Sequence, residues 1–207
     1  MTTRMPGRRT QAARNDAAIL EAAREVFLAD PKAPIAAVAE RAGVGISALY
    51  RRYENKEDLL RLLCHDGLRR YLEVAESVAA EPDGWRAFTD FLSRLVDADV
   101  HSLTVRLAGT FTSTPEMTRD AQRANTLATE LVERAHASGR LRADAVAQDI
   151  GLLLEGCSAV RVPDAERTRE LRQRYLAMLL AGLASGDGEP LPGPAPRPEE
   201  LNWRWRR

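Results

Sequence analysis

The stretch "VAERAGVGISALYRRYENKEDLL", residues 38–60, decides how the chain is read. Val38, Ala39 and Ala42, with Ile35 before them, put small apolar groups on one face of a short helix, roughly Ile35 to Ala42. Gly43 offers the left-handed conformation that ends a helix sharply, and Gly45 is an acceptable cap for a second short helix, roughly Ile46 to Arg52. Two short helices joined by a glycine-containing turn make a helix-turn-helix. Leu49 and Tyr53, four apart, face its core, which leaves Ile46, Ser47, Tyr50 and Arg51 to project outward. A hydroxyl at Tyr50 can donate to a phosphate, and Arg51 and Arg52 can pair with phosphate oxygens or with a guanine edge.

Asn55 then caps a longer helix whose first turn holds Glu57 and Asp58, acids suited to the positive end of a helix. Lys56 opposes that dipole, and it is one of only two lysines beside 28 arginines. An anion next to it removes the penalty, so Lys56 and the free amides of the helix start are expected to share one DNA phosphate. The alternative is a surface pair with Glu57 or a neighbouring acid.

Charge distribution agrees with a reading head. Residues 1–56 carry ten basic residues against six acidic ones, a surplus of four, and since the whole chain is neutral the remainder is acidic by the same amount. A basic face can approach nucleic acid while the acidic body stays away from it. Aromatic residues are only 5% of the sequence, and Ala, Leu, Arg and Glu dominate, which favours an all-helical protein over a sheet. No stretch reaches the roughly 18 uninterrupted apolar residues of a membrane helix, and "MTTRMPGRRT" lacks the apolar region of a signal peptide. The expected location is the cytoplasm. Cys64 and Cys157 both fall in apolar helical patterns and read as buried reduced thiols.

Outward from the quoted stretch, the periodicity predicts helices near 12–29, 56–80, 84–98, 100–110, 115–137, 144–161 and 166–185, with Thr114 as a cap and Pro115 at the first helical position. The expected organisation is a flexible basic arm over 1–10, a helix-turn-helix domain over 11–55, a helical body over 56–185 and a proline-rich disordered tail over 186–207. Five prolines between 190 and 198 argue against any helix in that tail. Its basic, Trp-containing end, residues 203–207, reads as a solvated or folded-back segment, or as an extra DNA or membrane contact.

The quoted stretch resembles the tetracycline-repressor (TetR) family of bacterial one-component regulators. Val38, Ala39, Ala42, Gly43, Val44, Leu49, Tyr50, Tyr53, Lys56 and Leu59 or Leu60 match the family pattern over about 45 residues. Gly45 stands where a capping serine is frequent, Ser47 where a glycine is usual, Arg52 where a histidine is frequent, and Pro34 near the usual Ser/Thr cap of the second helix. The resemblance implies an all-α homodimer of about nine helices, with an amino-terminal DNA-binding domain and a larger carboxy-terminal domain for ligand binding and dimerisation. It implies a regulator, most often a repressor that a small molecule releases from its operator. The operator-facing set is then Gly45, Ile46, Ser47, Tyr50, Arg51, Arg52 and Lys56.

Beyond about residue 65 the residues must be read directly. Helices 144–161 and 166–185 offer Ile150, Leu153, Leu154, Cys157, Leu171, Tyr175, Met178, Leu179 and Leu183 for a dimeric four-helix bundle, with Gly151 and Gly156 allowing another helix to approach closely. A ligand pocket would draw on Trp85, Phe88, Phe91, His101, Arg106, Phe111, Met117 and Asn125, each of which also has an ordinary reading as core or surface. The sequence holds no Walker A, H-E-x-x-H, G-x-S-x-G or paired-cysteine motif, so neither catalysis nor a metal or cofactor is expected. Cys64 and His65 are adjacent, but neighbouring helical residues point roughly 100° apart and do not form a dyad.

Overall fold

The computed structural model describes residues 8–186 and 189–201, with side chains from Asp16 onward. The helices are α1 (Arg8–Ala29), α2 (Ile35–Arg41), α3 (Ile46–Tyr50), α4 (Lys56–Ser77), α5 (Gly84–Asp97), α6 (Val100–Leu107), α7 (Pro115–Ala137), α8 (Asp149–Ala159), α9 (Ala165–Leu183) and α10 (Pro198–Leu201). Among the described residues there is no strand, only one isolated antiparallel bridge between Leu141 and Ala184.

Local chemistry explains where the helices begin and end. Asn55, Asp83, Thr114 and Asp164 each accept a hydrogen bond from a backbone amide three residues on, satisfying a donor that the helix itself cannot. At the end of α2 the Val44 amide reaches the Ala39 carbonyl at 3.0 Å and the Gly43 amide reaches Glu40 at 3.1 Å, a double closure that requires the left-handed Gly43 (φ +65°). At the start of α5, Gly84 is pressed against the backbone of α7, where an added methyl would stand 2.1 Å from the Arg134 carbonyl oxygen. Several helix boundaries differ from the periodicity, most of all the starts of α1 and α8. Residues 8–10, expected in a flexible arm, already belong to α1, while residues 1–7 lie outside the described residues. Residues 144–148 remain a turn because Leu141 and Arg142 pair with the end of α9 and the Asp149 carboxylate holds the Val146 amide at 2.8 Å.

Two apolar clusters hold these elements together. The first is built around α5, whose Trp85, Phe88, Phe91, Leu92 and Leu95 are buried against α7, α8 and α9. The second joins α1, α2 and α3 to the first half of α4, and it also takes in Leu103 and Leu107 of α6, then Phe111 and Met117. The reading head therefore shares its core with α6. Cys64 and Cys157 are buried free thiols, pushed up to about 12 and about 11 by their burial.

Beyond α9 the chain is tied back to the body. Arg142 donates to the Glu189 carbonyl at 2.7 Å, and Asp144 accepts from the Leu191 amide at 2.7 Å. Pro198–Leu201 then forms a helical turn where the proline count had predicted none; Pro198 occupies the first helical position, whose amide has no partner to lose. The Trp-containing end at 203–207 lies outside the described residues.

Three glycine substitutions test these constraints by urea denaturation at fixed protein concentration. Gly43→Ala should cost about 1 kcal/mol through its left-handed backbone, and Gly84→Ala about 2–3 kcal/mol through collision with α7. Gly45→Ser, at a site with open space and φ −65°, should instead add about 0.5 kcal/mol.

Candidate functional site

The head presents α3 to solvent. Leu49 is fully buried and Tyr53 nearly so, and these two seat the helix against α2 in the core that α1, α2 and α4 share. The opposite face is bare, with Ile46 39% and Tyr50 50% exposed, and Gly45, Ser47, Arg51 and Arg52 exposed beside them. An exposed isoleucine and tyrosine on a five-residue helix have no packing reason to be there, whereas they suit the floor and backbone of a DNA groove. Arg52 is paired with α1: its Nε lies 2.6 Å from Asp16 Oδ1.

Lys56 occupies a different place from the one its sequence position suggested. Its ammonium donates to the Ala33 carbonyl at 2.6 Å and to the Pro31 carbonyl at 3.0 Å, and lies 5.0 Å over the ring of Phe27. Burial draws its pKa below the usual lysine range, with the Asp30 carboxylate opposing that shift. The negative partner that offsets the α4 dipole is thus supplied by the loop after α1. Nor does Lys56 pair with Glu57, whose carboxylate binds Arg61 at 3.1 Å and the Thr112 amide at 2.8 Å.

Below the head, α4, α6 and α7 border an open cavity of about 380 Å³ walled by residues that include Cys64, Tyr71, His101, Thr104 and Met117. It adjoins a chamber of about 270 Å³ that extends between α6, α7 and α8 to Asn125, Glu155 and Leu201. His101, Met117 and Asn125 are thereby brought to one cavity system. The other five pocket candidates are elsewhere. Trp85, Phe88, Phe91 and Phe111 fill the two cores, since the largest apolar side chains gain most from full burial. Arg106 turns away to the Leu28 carbonyl at the end of α1. Cys64 and Tyr71 were legible as the i and i+7 positions of one α4 face, but that spacing is equally the signature of core.

The carboxy-terminal helices divide the nine interface candidates. Ile150, Leu153, Leu154, Cys157 and Leu183 are buried in the chain's own core and have no surface left for a partner. Leu171, Tyr175 and Leu179 are half-buried and Met178 is 58% exposed; Leu152, which the periodicity passed over, is 48% exposed. Gly156 meets the Tyr175 ring across the α8–α9 hairpin, so its antiparallel register sets Leu152 beside Met178 and Leu179.

His65 does not work with Cys64. Its Nε2 lies 2.8 Å from Asp120 Oδ2, and Glu116, one turn earlier on α7, binds Arg69 at 3.0 Å. His65, Glu116 and Asp120 are the one group of three metal-capable side chains that come together among the described residues. Their hydrogen bond and ion pair act as ties between α4 and α7.

Residues 19–63 match the model of bacterial regulatory proteins of the tetR family, and residues 83–185 match that of the SbtR-like transcriptional regulator carboxy-terminal domain. No curated protein matches the chain. Among solved structures, a TetR transcriptional regulator from Streptomyces coelicolor is 25% identical, with 82% of this chain and 98% of that one covered at a TM-score of 0.58. A TetR regulatory protein from Mycobacterium vanbaalenii is 26% identical, with coverage of 86% and 99% and a TM-score of 0.57. LfrR from Mycobacterium smegmatis, solved in complex with proflavine, shares the fold at 20% identity, coverage of 81% and 96%, and a TM-score of 0.62.

The roles of two cations separate in a salt titration of DNA binding. Arg51→Ala should weaken affinity and lower the dependence of log K on log salt by about one phosphate contact. Lys56→Ala should leave that slope unchanged and instead cost about 2 kcal/mol of stability through its lost bonds to Pro31 and Ala33.

Proposed function

The chain belongs to the TetR family of bacterial DNA-binding transcriptional regulators, and from that premise we propose that it is a homodimeric repressor released from its operator when a small molecule fills the cavity beneath the head. The observation that carries this reading is the position of α6. One side of it walls the cavity through His101 and Thr104, and the other enters the core of the reading head through Leu103 and Leu107.

Both ends of α6 are also bound to α1. At its start the Asp99 carboxylate lies 3.3 Å from Arg24 of α1 and 2.7 Å from Arg172 of α9. At its end Arg106 donates to the last turn of α1. A ligand that shifts α6 therefore moves α1, and the exposed face of α3 moves with the shared core. Differential affinity of the ligand for the two positions of α6 is what shifts the population towards the released state.

Operator contact falls to Ile46, Ser47, Tyr50 and Arg51, with Arg52 beside them paired to Asp16 and Gly45 letting the backbone come close. Lys56 contributes by fixing the start of α4 against the loop from Pro31 to Ala33. Two reading heads are needed for half-sites separated by a helical turn of DNA, roughly 34–36 Å or a multiple of it. The apolar surface formed by Leu152, Tyr175, Met178 and Leu179 supports a two-fold bundle of α8 and α9 from both subunits. A protein of this kind works where the chromosome is, in the cytoplasm.

Fluorescence anisotropy with labelled DNA from the region flanking its own gene tests the assignment. Saturable binding that survives competitor DNA and falls at least tenfold with Tyr50→Ala is expected; equal affinity for unrelated DNA would refute an operator-specific role. In sedimentation equilibrium, the double variant Leu152→Asp with Met178→Asp should be monomeric and lose operator affinity, and a persisting dimer would remove α8 and α9 from the interface.

A further inference from the structure

The chemistry of the cavity wall sets the class of molecule it accepts. Lys and Arg make up 30 of the 207 residues, and at that frequency several would be expected to line the two chambers; among the described residues that line them there is none. Among the described lining residues the one carboxylate is that of Glu155, in the chamber nearer α8. Cys64 stays a neutral thiol because burial pushes it up to about 12, and burial raises the Tyr71 phenol as well. Thr104 and Asn125 can orient a guest through hydrogen bonds. A carboxylate, sulfonate or phosphate would face no cation among the described lining residues, and an unpaired charge removed from water costs far more than a hydroxyl or amide can return.

The same chamber is covered by the chain's own carboxy-terminal segment. The ties at Glu189 and Leu191 lead the chain past Asp144. Pro198 and Leu201 of α10 then form part of the chamber wall. Leu201 sits directly on Gly151, where an added methyl would stand 2.7 Å from Leu201 Cδ1. No residue of α10 is buried, so the cover has little apolar area holding it down.

We propose that the cavity takes an uncharged, largely apolar small molecule, which enters by displacing α10 from Gly151. This rests on the reading of the cavity as the effector site, and it adds the charge class of the effector and its route.

The test uses two dyes with one ring skeleton, neutral N-phenyl-1-naphthylamine and its anionic sulfonate, 1-anilinonaphthalene-8-sulfonate, titrated into the full chain by fluorescence. The neutral dye should bind at least tenfold more tightly. Glu155→Lys should narrow that gap at least threefold, and Leu201→Asp should speed entry of the neutral dye severalfold in stopped flow. Thr104→Trp, and separately Ala121→Phe, should abolish neutral-dye binding by filling the cavity while circular dichroism remains helical. Absent binding of the neutral dye, equal or tighter binding of the sulfonate, or neutral-dye binding that survives both filling variants would overturn the ligand class. An entry rate unchanged in Leu201→Asp would overturn the route. Dye binding is read without DNA, so these failures leave operator recognition standing; loss of operator recognition would sink the regulatory reading without touching the dye result.

Discussion

The carboxy-terminal end of α1 is the point on which the arrangement depends. A helix leaves its last four carbonyls without internal partners and carries a partial negative charge there, yet α1 has no basic residue in its own last turn. The cations come from three other elements. Arg106 of α6 and Arg161 of the α8–α9 loop both donate to Leu28, and Lys56 of α4 binds the carbonyls of Pro31 and Ala33 just beyond. Hydrogen bonds from charged donors are each worth about 1.5–3 kcal/mol. The head is therefore positioned by bonds that only the body can supply, and any displacement of α6 is felt at α1.

Asp99 adds the second constraint. It is a non-glycine residue in the left-handed region (φ 48°), a conformation that costs about 1–2 kcal/mol. What holds it there is its position between two guanidiniums, Arg24 on the head and the buried Arg172 on α9. Arg172 also donates to the Val160 carbonyl at 3.0 Å, so this one side chain joins the α8–α9 connection to the start of α6. The pairing fixes where α6 begins. It gives the helix a position that is determined by charge at its ends while its middle borders empty space, which is the physical form of a lever.

Through these two constraints head and body share contacts across their boundary. The apolar cluster of the head extends through α6 to Phe111 and Met117, crossing the boundary near residue 55 that a division by motif suggests.

The helix-turn-helix was legible because it is local: the spacing of Val38, Ala39, Leu49 and Tyr53, the turn at Gly43 and the cap at Asn55 each act within a few residues of the chain. The helical class and the exposed face of α3 followed from the same short-range rules. Lys56 was not legible, because its partners lie 23 and 25 residues away and no spacing rule connects them. The cavity was half legible for a similar reason: periodicity marks a face as apolar without saying whether another side chain or empty space lies opposite, so the aromatics read as pocket went into the core, while Tyr71 and Thr104 became the wall. By itself the amino-acid order determined the elements, their ends and the reading head, since these depend on interactions between near neighbours. Which cation meets which carbonyl, and where the packed helices leave a space, was decided only when distant segments came together, because those energies depend on distances that the order of residues does not contain.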